Sequence, residues 1–434
     1  MNQTKKTCEC QPNMHQDNPT PNDTPANANA NANNDICAFS RLVPPTPAIT
    51  LGQYLINKRQ NQVQEQAKKE SAQAQFISNN QRSAFMNTFT EFQTNVGIAA
   101  INLGYGYTKL SLDGAEDTFM SVVSSQQRSI GADGDKPNLL NIVHSDGETF
   151  EVGMKAAVQS WQEPHRLISS RWGRSRHYRL LSQAVLNRMA FSGKKRWRII
   201  TGLAAEHYQD EAYRQDVAGV WRGANSLHST PFGTIEIVSV NVVPETVGGF
   251  MSLLSDPAMN QKMQSLEGAV VDFGTMTTNW LPFKGGRPQT NGFQSIDCGV
   301  FKVMEAATKS LRVRALPRAR SVDLESAYLD INPLSIMTRS PSGAVETQQL
   351  DVSSDIQESA LKVWPQIEIA LRNNLGDAQG KLFLGIGGGV KVFGELFSKS
   401  FSDAVCMFTG SAQMENVRGL YLMAKSHGQR ETSS

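Results

Sequence analysis

Apolar and polar positions follow two distinct patterns from about residue 96 towards the C-terminus. Short apolar runs, which predict strands, occur at 96–103, 196–203, 233–243, 268–273, 280–283 and 404–408. Apolar residues at helical spacing, which predict helices, occupy the segments 178–191, 205–223, 299–311 and 352–375. Because strands and helices alternate in two similar halves, the sequence predicts an α/β fold.

Three glycine-rich turns follow apolar strands at wide intervals. The turns and the strand ends beside them contain Asn102, Gly104, Tyr105, Gly106, Tyr107, Thr108, Lys109, Asp272, Gly274, Thr275, Met276, Thr277, Gly387, Gly388 and Gly389. Glycine lets backbone N–H groups approach an anion without a Cβ atom in between. Lys109 adds a positive charge that suits phosphate oxygens. An ordinary hairpin would explain any one of these turns, but three of them in this order indicate a phosphate-binding site.

This arrangement resembles the actin-like ATPase superfamily, which includes actin, the ATPase domain of heat-shock chaperones and the sugar kinases. The Gly-Tyr-Gly-Tyr-Thr-Lys sequence of the first turn is most similar to the ParM/StbA-type proteins of plasmid segregation. The resemblance covers roughly residues 96–424. It implies two lobes of ribonuclease-H-like topology with ATP and Mg²⁺ in the cleft between them. The first two turns would hold the phosphates, and the third would hold the adenosine.

The resemblance also implies a division of the chain into domains. Residues 95–256 would form the first lobe, which includes a small inserted subdomain, and residues 265–424 would form the second lobe, whose last helix packs back on the first. Residues 1–94 fall outside the resemblance. The segment 1–34 is rich in Asn, Pro, Thr and Ala, which predicts disorder. The polar segment 57–92 is compatible with a helix, a solvated tether or a partner-binding arm.

Two acidic residues are the candidate catalytic groups. The resemblance implies that Asp272 orients the waters of Mg²⁺ and that Glu245 orients the water that attacks the γ-phosphate. The alternative for Glu245 is an ordinary acidic residue stabilised by the dipole of the helix that it begins. The superfamily usually has aspartate where this chain has Asn102, and an uncharged amide is a weaker partner for a hard cation. We therefore expect a Mg²⁺-dependent ATPase that the substitution at position 102 slows.

Composition and charge limit the partners and the compartment. The 42 Lys and Arg residues nearly balance the 40 Asp and Glu residues, so nothing in the net charge favours direct binding to nucleic acid. The five cysteines lack the spacing of a disulfide framework, which indicates reduced thiols. No apolar run reaches the length of about 18 residues that a membrane span needs, and no apolar signal region follows the first residues. We expect a cytoplasmic protein without a membrane partner.

A basic stretch with interleaved aromatic residues is the local exception to this balance. It contains Arg166, Arg171, Trp172, Arg174, Arg176, His177, Tyr178 and Arg179. Such a composition is typical of nucleic-acid surfaces. Solvated surface and a subunit contact are the other interpretations, and both are favoured over DNA.

Three functions are compatible with these features. The first is an actin-like ATPase that forms filaments with itself and, through a DNA-bound adaptor protein, segregates plasmids or other replicons. The second is a nucleotide-switched binding scaffold with weak or no ATPase activity, which Asn102 favours. The third is a small-molecule kinase, but no segment offers a recognisable base beside an acceptor pocket.

Overall fold

The computed structural model describes residues 96–125, 138–153, 156, 171–314, 316, 318–328, 334–339 and 345–431. The predicted extension 1–94 and Arg166 lie outside these residues. No helix in the described ranges is long and apolar enough to cross a membrane.

The first half of the described chain forms a six-stranded sheet and a small three-stranded sheet. Its strands are β1 (Val96–Leu103), β2 (Tyr107–Leu112), β3 (Ala115–Met120), β4 (Val123–Ser125), β5 (Ile142–Ser145), β6 (Glu148–Val152), β7 (Arg196–Leu203), β8 (Leu227–Thr230) and β9 (Gly233–Pro244). The large sheet has the order β3-β2-β1-β7-β9-β8, and the small sheet has the order β4-β6-β5. Strands β1, β7 and β9 are parallel, whereas β1, β2 and β3 form antiparallel hairpins.

The strands are accompanied by helices α1 (Arg176–Phe191), α2 (Ala205–Gln209), α3 (Glu211–Arg222) and α4 (Glu245–Ser255). The apolar stripe of α1 is buried in the core against the large sheet. The single helix predicted at 205–223 is instead two helices. Asp210 has an extended backbone and accepts a hydrogen bond from the Tyr213 N–H at 3.1 Å, so it ends one helix and caps the next.

The second half contains the remaining elements: α5 (Pro257–Ser265), β10 (Glu267–Phe273), β11 (Thr278–Lys284), β12 (Arg287–Pro288), β13 (Gln294–Ile296), α6 (Val300–Arg314), α7 (Ser321–Tyr328), β14 (Ser335–Arg339), β15 (Val345–Gln349), α8 (Ser353–Leu375), β16 (Leu382–Ile386), α9 (Val390–Ser400), β17 (Val405–Phe408) and α10 (Glu415–Glu431). The second sheet has the order β12-β11-β10-β16-β17, with β13 paired to β11. Strand β10 is parallel to β16 and antiparallel to β11. The hairpin after β10 therefore repeats the arrangement of the hairpin after β1.

Helix α10 returns from the second half to the first sheet. Its buried residues Val417 and Leu420 join Ala100 of β1 in one apolar cluster. Helix α10 also crosses α4, where a Cβ atom on Gly419 would lie 1.6 Å from the carbonyl oxygen of Gly248. No side chain fits at this crossing, so glycine lets the two helices approach each other closely.

Candidate functional site

The two glycine turns that follow β1 and β10 have the same construction. In the first turn, the Gly104 N–H donates to the Tyr107 carbonyl oxygen at 3.2 Å. In the second turn, the Gly274 N–H donates to the Thr277 carbonyl oxygen at 2.9 Å. In each turn, the N–H of the first glycine thus closes the turn by a hydrogen bond to the carbonyl three residues later. The peptide groups between these two residues form the tip of the turn.

The polar residues beside the two turns also correspond in position. Asn102 of β1 lies opposite Lys109 of β2, and Asp272 of β10 lies opposite Asn279 of β11. Asn102, Asp272 and Asn279 are all buried. Each of the three lies near the end of a strand that leads into or out of a glycine turn. Because they are buried, their polar atoms need hydrogen-bond partners. The correspondence places two similar polar sites on the two sheets.

The two turns meet at the boundary between the sheets. A Cβ atom on Gly106 would lie 2.0 Å from the Thr275 hydroxyl oxygen, so only glycine permits this approach. Beside this contact lies a cavity whose empty space, counted together with the open solvent at its mouth, is about 670 Å³. Its lining residues are Asn102, Leu103, Gly104, Tyr105, Gly106, Tyr107, Lys109, Trp172, Gly202, Leu203, Ala204, His207, Glu245, Asp272, Gly274, Thr275, Met276, Thr277, Gly388 and Gln413.

Most of the sequence-predicted site residues lie together at this cavity, and three do not line it. The Thr108 hydroxyl forms a buried hydrogen bond of 3.0 Å with the Ser121 hydroxyl instead. Gly387 has φ of +88°, and a Cβ atom there would lie 2.2 Å from the Asp272 carboxylate. Gly389 packs on the Phe273 carbonyl in the same way. The two glycines let the third turn approach β10, while Gly388 between them lines the cavity.

Glu245, the first residue of α4, is partly accessible from the cavity and otherwise enclosed by protein. Its carboxylate accepts a hydrogen bond from the Asn279 side-chain amide at 3.0 Å and another from the Asn102 side chain. Burial and then the nearby Asp272 raise the pKa of Glu245 to about 7, against the opposing effect of Lys109. Loss of the proton from this carboxyl is therefore harder than from an exposed glutamate.

Asp272 is more deeply buried and is held by the last helix. Its carboxylate accepts a hydrogen bond of 2.7 Å from the Asn416 side-chain amide. The oxygen of that amide accepts from the Gly249 N–H of α4 at 3.1 Å. Burial raises the pKa of Asp272, while Lys109 and the Asn416 hydrogen bond oppose the rise. Asn416 thus connects the acid of the second sheet to the helix that carries Glu245.

The oxygen atoms around the cavity fit a hard divalent cation. Two carboxylates, those of Asp272 and Glu245, lie near each other, and burial raises the pKa of both. A bound cation would offset the unfavourable burial of their charge. The buried Asn279 side-chain oxygen has no hydrogen-bond partner within the described residues. Carboxylate and amide oxygens are ligands that Mg²⁺ accepts, usually together with several waters. Within the described ranges, no cluster of three or more His, Cys, Asp or Glu residues forms a metal site of protein ligands alone.

Five polar or aromatic residues of the site were missed by sequence reasoning. Asn279 had a usable signal, because it follows Asp272 at the spacing that separates Lys109 from Asn102. Asn416 lies in a segment that we interpreted as a core-packing helix, and Trp172 lies in the basic stretch. His207 and Gln413 carry no local signal in the sequence, since only the fold brings them to the cavity.

Comparison with known proteins identifies the first half of the fold. Residues 100–248 match the family of actin-like protein N-terminal domains. No curated protein matches the sequence significantly. The matched segment runs from β1 to α4 and so includes the first glycine turn and Glu245.

Solved structures of actin homologues share the fold over about three quarters of this chain. The subunit of a ParM filament from Clostridium botulinum matches with a TM-score of 0.59 and 17% identity, over 77% of this chain and 100% of that chain. The archaeal actin homologue Ta0583 in complex with ADP matches with a TM-score of 0.56 and 18% identity, over 76% and 100%. The actin-like protein Alp7A matches with a TM-score of 0.57 and 16% identity, over 77% and 97%. These similarities confirm the predicted two-lobed actin-like fold.

Proposed function

We propose that this chain, a member of the actin-like superfamily with a ParM-like fold, binds Mg²⁺-ATP in the cavity between its two sheets and hydrolyses it. The observation that carries this proposal is the convergence of Gly104, Asp272 and Gly388 on one cavity. These residues come from three turns that are far apart in the sequence, and the first two turns share one construction. Peptide N–H groups at such turns suit phosphate oxygens.

The chain's own residues have distinct roles in this proposal. The turns at 104–107 and 274–277 bind the phosphates from opposite sides, and Lys109 supplies a positive charge to them. Gly388 leaves space for the adenosine, and Gln413 lies beside it. Asp272 and Asn102 orient the waters of Mg²⁺, which when bound offsets the negative charge of the phosphates. Asn279 holds Glu245 through its side-chain amide.

Glu245 orients the attacking water. The amides of Asn279 and Asn102 fix its carboxylate, which restricts the positions that a water bound to it can take. A carboxyl with a pKa near 7 is also matched to proton acceptance at neutral pH. The helix-dipole interpretation of Glu245 does not require this cavity position or these two amide contacts.

Binding is tested by titrating ATP into the wild-type protein and two lysine variants. Lys109→Met is expected to weaken ATP affinity about tenfold or more, because it removes a charge that lines the cavity. Lys284→Met is the matched control, since the Lys284 side chain is 75% exposed and pairs with Glu267 on the surface. Absence of ATP binding by the wild-type protein would refute the proposal.

We further propose that nucleotide binding drives filament assembly for plasmid or replicon segregation in the cytoplasm, with a DNA-bound adaptor as partner. The support is the fold shared with a ParM filament subunit. Sedimentation with and without ATP tests assembly, and a protein that stays in the supernatant under every nucleotide condition contradicts it.

A nucleotide-switched scaffold with little turnover is the second candidate, and Asn102 is the observation that favours it. Phosphate release distinguishes the two functions: turnover that falls in Glu245→Ala supports the ATPase, whereas tight binding without turnover supports the scaffold. Asn102→Asp adds the carboxylate that the superfamily usually has. Faster hydrolysis in this variant would show that the amide slows the wild-type protein.

A further inference from the structure

Trp172 connects the basic stretch to the first glycine turn. It lies in a single helical turn directly before α1, its side chain is 3% exposed, and it lines the cavity. Tyr178, the other aromatic residue of the basic stretch, is also buried. Neither ring is therefore available for stacking on nucleic-acid bases.

The arginines around Trp172 are paired within the protein. Arg174 forms an ion pair of 2.5 Å with Asp216, and Arg176 forms one of 2.8 Å with Glu148. The Arg179 guanidinium donates to the Arg174 carbonyl oxygen at 3.0 Å. These contacts fix the backbone that carries Trp172.

Trp172 holds the first glycine turn on both sides of Gly104. Its indole N–H donates to the Leu103 carbonyl oxygen at 2.9 Å. Its ring stacks on the Tyr105 ring, with 4.8 Å between centroids and 28° between planes. Because Leu103 and Tyr105 flank Gly104, these two contacts set the direction of the peptide groups in the turn.

The support for Trp172 is itself rigid. Its ring packs edge to face on the Tyr178 ring, with 6.0 Å between ring centroids. The Tyr178 ring packs on the Trp221 ring in the same way, with 6.1 Å between centroids. The next residue, Gly173, donates its N–H to the Tyr213 hydroxyl at 2.5 Å. Because Trp172 is anchored in the core in this way, its side chain keeps one orientation while the turn at 104–107 packs against it.

We propose that Trp172 is a positioning residue for the phosphate-binding turn at 104–107. This inference rests on the proposed nucleotide site. The indole holds the turn in its binding geometry before the nucleotide arrives, so less ordering remains to be done on binding.

Tryptophan-to-phenylalanine changes at positions 172 and 197 provide a matched test. Each removes one indole hydrogen bond of a buried tryptophan, to the Leu103 carbonyl in the first case and to the Lys194 carbonyl at 3.2 Å in the second. Trp172→Phe is expected to weaken ATP affinity about fivefold, whereas Trp197→Phe changes it by less than about twofold at a similar loss of thermal stability. Tryptophan emission should respond to ATP in Trp197→Phe and lose most of that response in Trp172→Phe.

The outcomes separate this inference from the proposed function. A wild-type protein that binds no ATP refutes the proposed function. A wild-type protein that binds ATP, together with equal affinities in the two variants, overturns the role of Trp172 alone. If Trp172→Phe does not fold, Tyr105→Leu removes the stacked ring from the side of the turn. Unchanged ATP affinity in that variant would equally overturn the inference.

Discussion

Replacement of Glu245 by glutamine tests whether the negative charge of this carboxylate lowers the stability of the folded protein. The change keeps the shape of the side chain and removes its charge. Glutamine retains an oxygen that can accept the hydrogen bond from Asn279. The variant therefore isolates the electrostatic contribution of one buried acid that lies near a second acid, Asp272.

The magnitude follows from the pKa of Glu245, which burial and Asp272 raise from 4.5 to about 7. A raised pKa means that the folded protein binds this proton more tightly than the unfolded chain. The resulting destabilisation is absent below pH 4.5, grows as the pH rises to about 7 and is constant above that value. It corresponds to an upper limit of about 3 kcal/mol. Water in the cavity screens the charge, so we expect about 2 kcal/mol.

Urea unfolding of the nucleotide-free protein at pH 5, 7 and 8, in the presence of a metal chelator, measures this contribution. Glu245→Gln is expected to raise the free energy of unfolding by about 2 kcal/mol at pH 8 and by much less at pH 5. The same variant should release phosphate about a hundredfold more slowly than the wild type, because it can no longer accept a proton. A gain in stability together with a loss of turnover is the expected signature of a functional charge.

Glu415→Gln is the matched control. Glu415 is also a buried acid beside α4, but it accepts a hydrogen bond from the Ser252 hydroxyl and lies 3.6 Å from the Arg418 guanidinium. Loss of its charge should lower the stability at pH 8. The reasoning is wrong if Glu245→Gln gives no gain at pH 8, or if its gain is the same at every pH.

Three further changes probe other parts of the site. Gly106→Ala would place a Cβ atom against Thr275 and should therefore separate the two turns. We expect ATP binding, measured by titration, to weaken about tenfold or more. A variant with wild-type affinity would show that the turns need not touch. Asn416→Ala leaves the Asp272 carboxylate without its 2.7 Å donor and should cost about 1–3 kcal/mol in urea unfolding, which an unchanged midpoint would contradict. Burial raises the pKa of the Cys406 thiol to about 11. In a variant whose other cysteines are serine, Cys406 should therefore react with a disulfide reagent at pH 8 far more slowly in the folded than in the unfolded protein. Equal reaction rates would refute this.

Local sequence patterns predicted the parts of the fold that depend on neighbouring residues. The hairpin around Gly104 follows from an apolar run, a glycine turn and a second apolar run, and the structure has strands β1 and β2 there. The break between α2 and α3 was missed, because the apolar spacing continues across it. The extended backbone of Asp210 ends the first helix and its side chain caps the second, and these local effects outweigh the periodicity.

The candidate site was predictable only where the sequence itself carries the chemistry. Glycine and charge marked Lys109 and Asp272, and both line the cavity. Trp172 reaches Leu103 across 69 residues, and Asn416 reaches Asp272 across 144 residues. Contacts of this kind depend on how the two sheets and the last helix pack. A tryptophan in a basic stretch carries no sign of which carbonyl it will face.

The long separation between Asp272 and Asn416 has a consequence for protein synthesis. Both glycine turns and both acids leave the ribosome well before α10 does, since Asn416 follows Asp272 by 144 residues. A nascent or prematurely terminated chain that ends between residues 389 and 416 carries all three turns yet lacks the amide that holds the Asp272 carboxylate and the α4 backbone. The amide that holds Asp272 is thus among the last parts of the site to be synthesised.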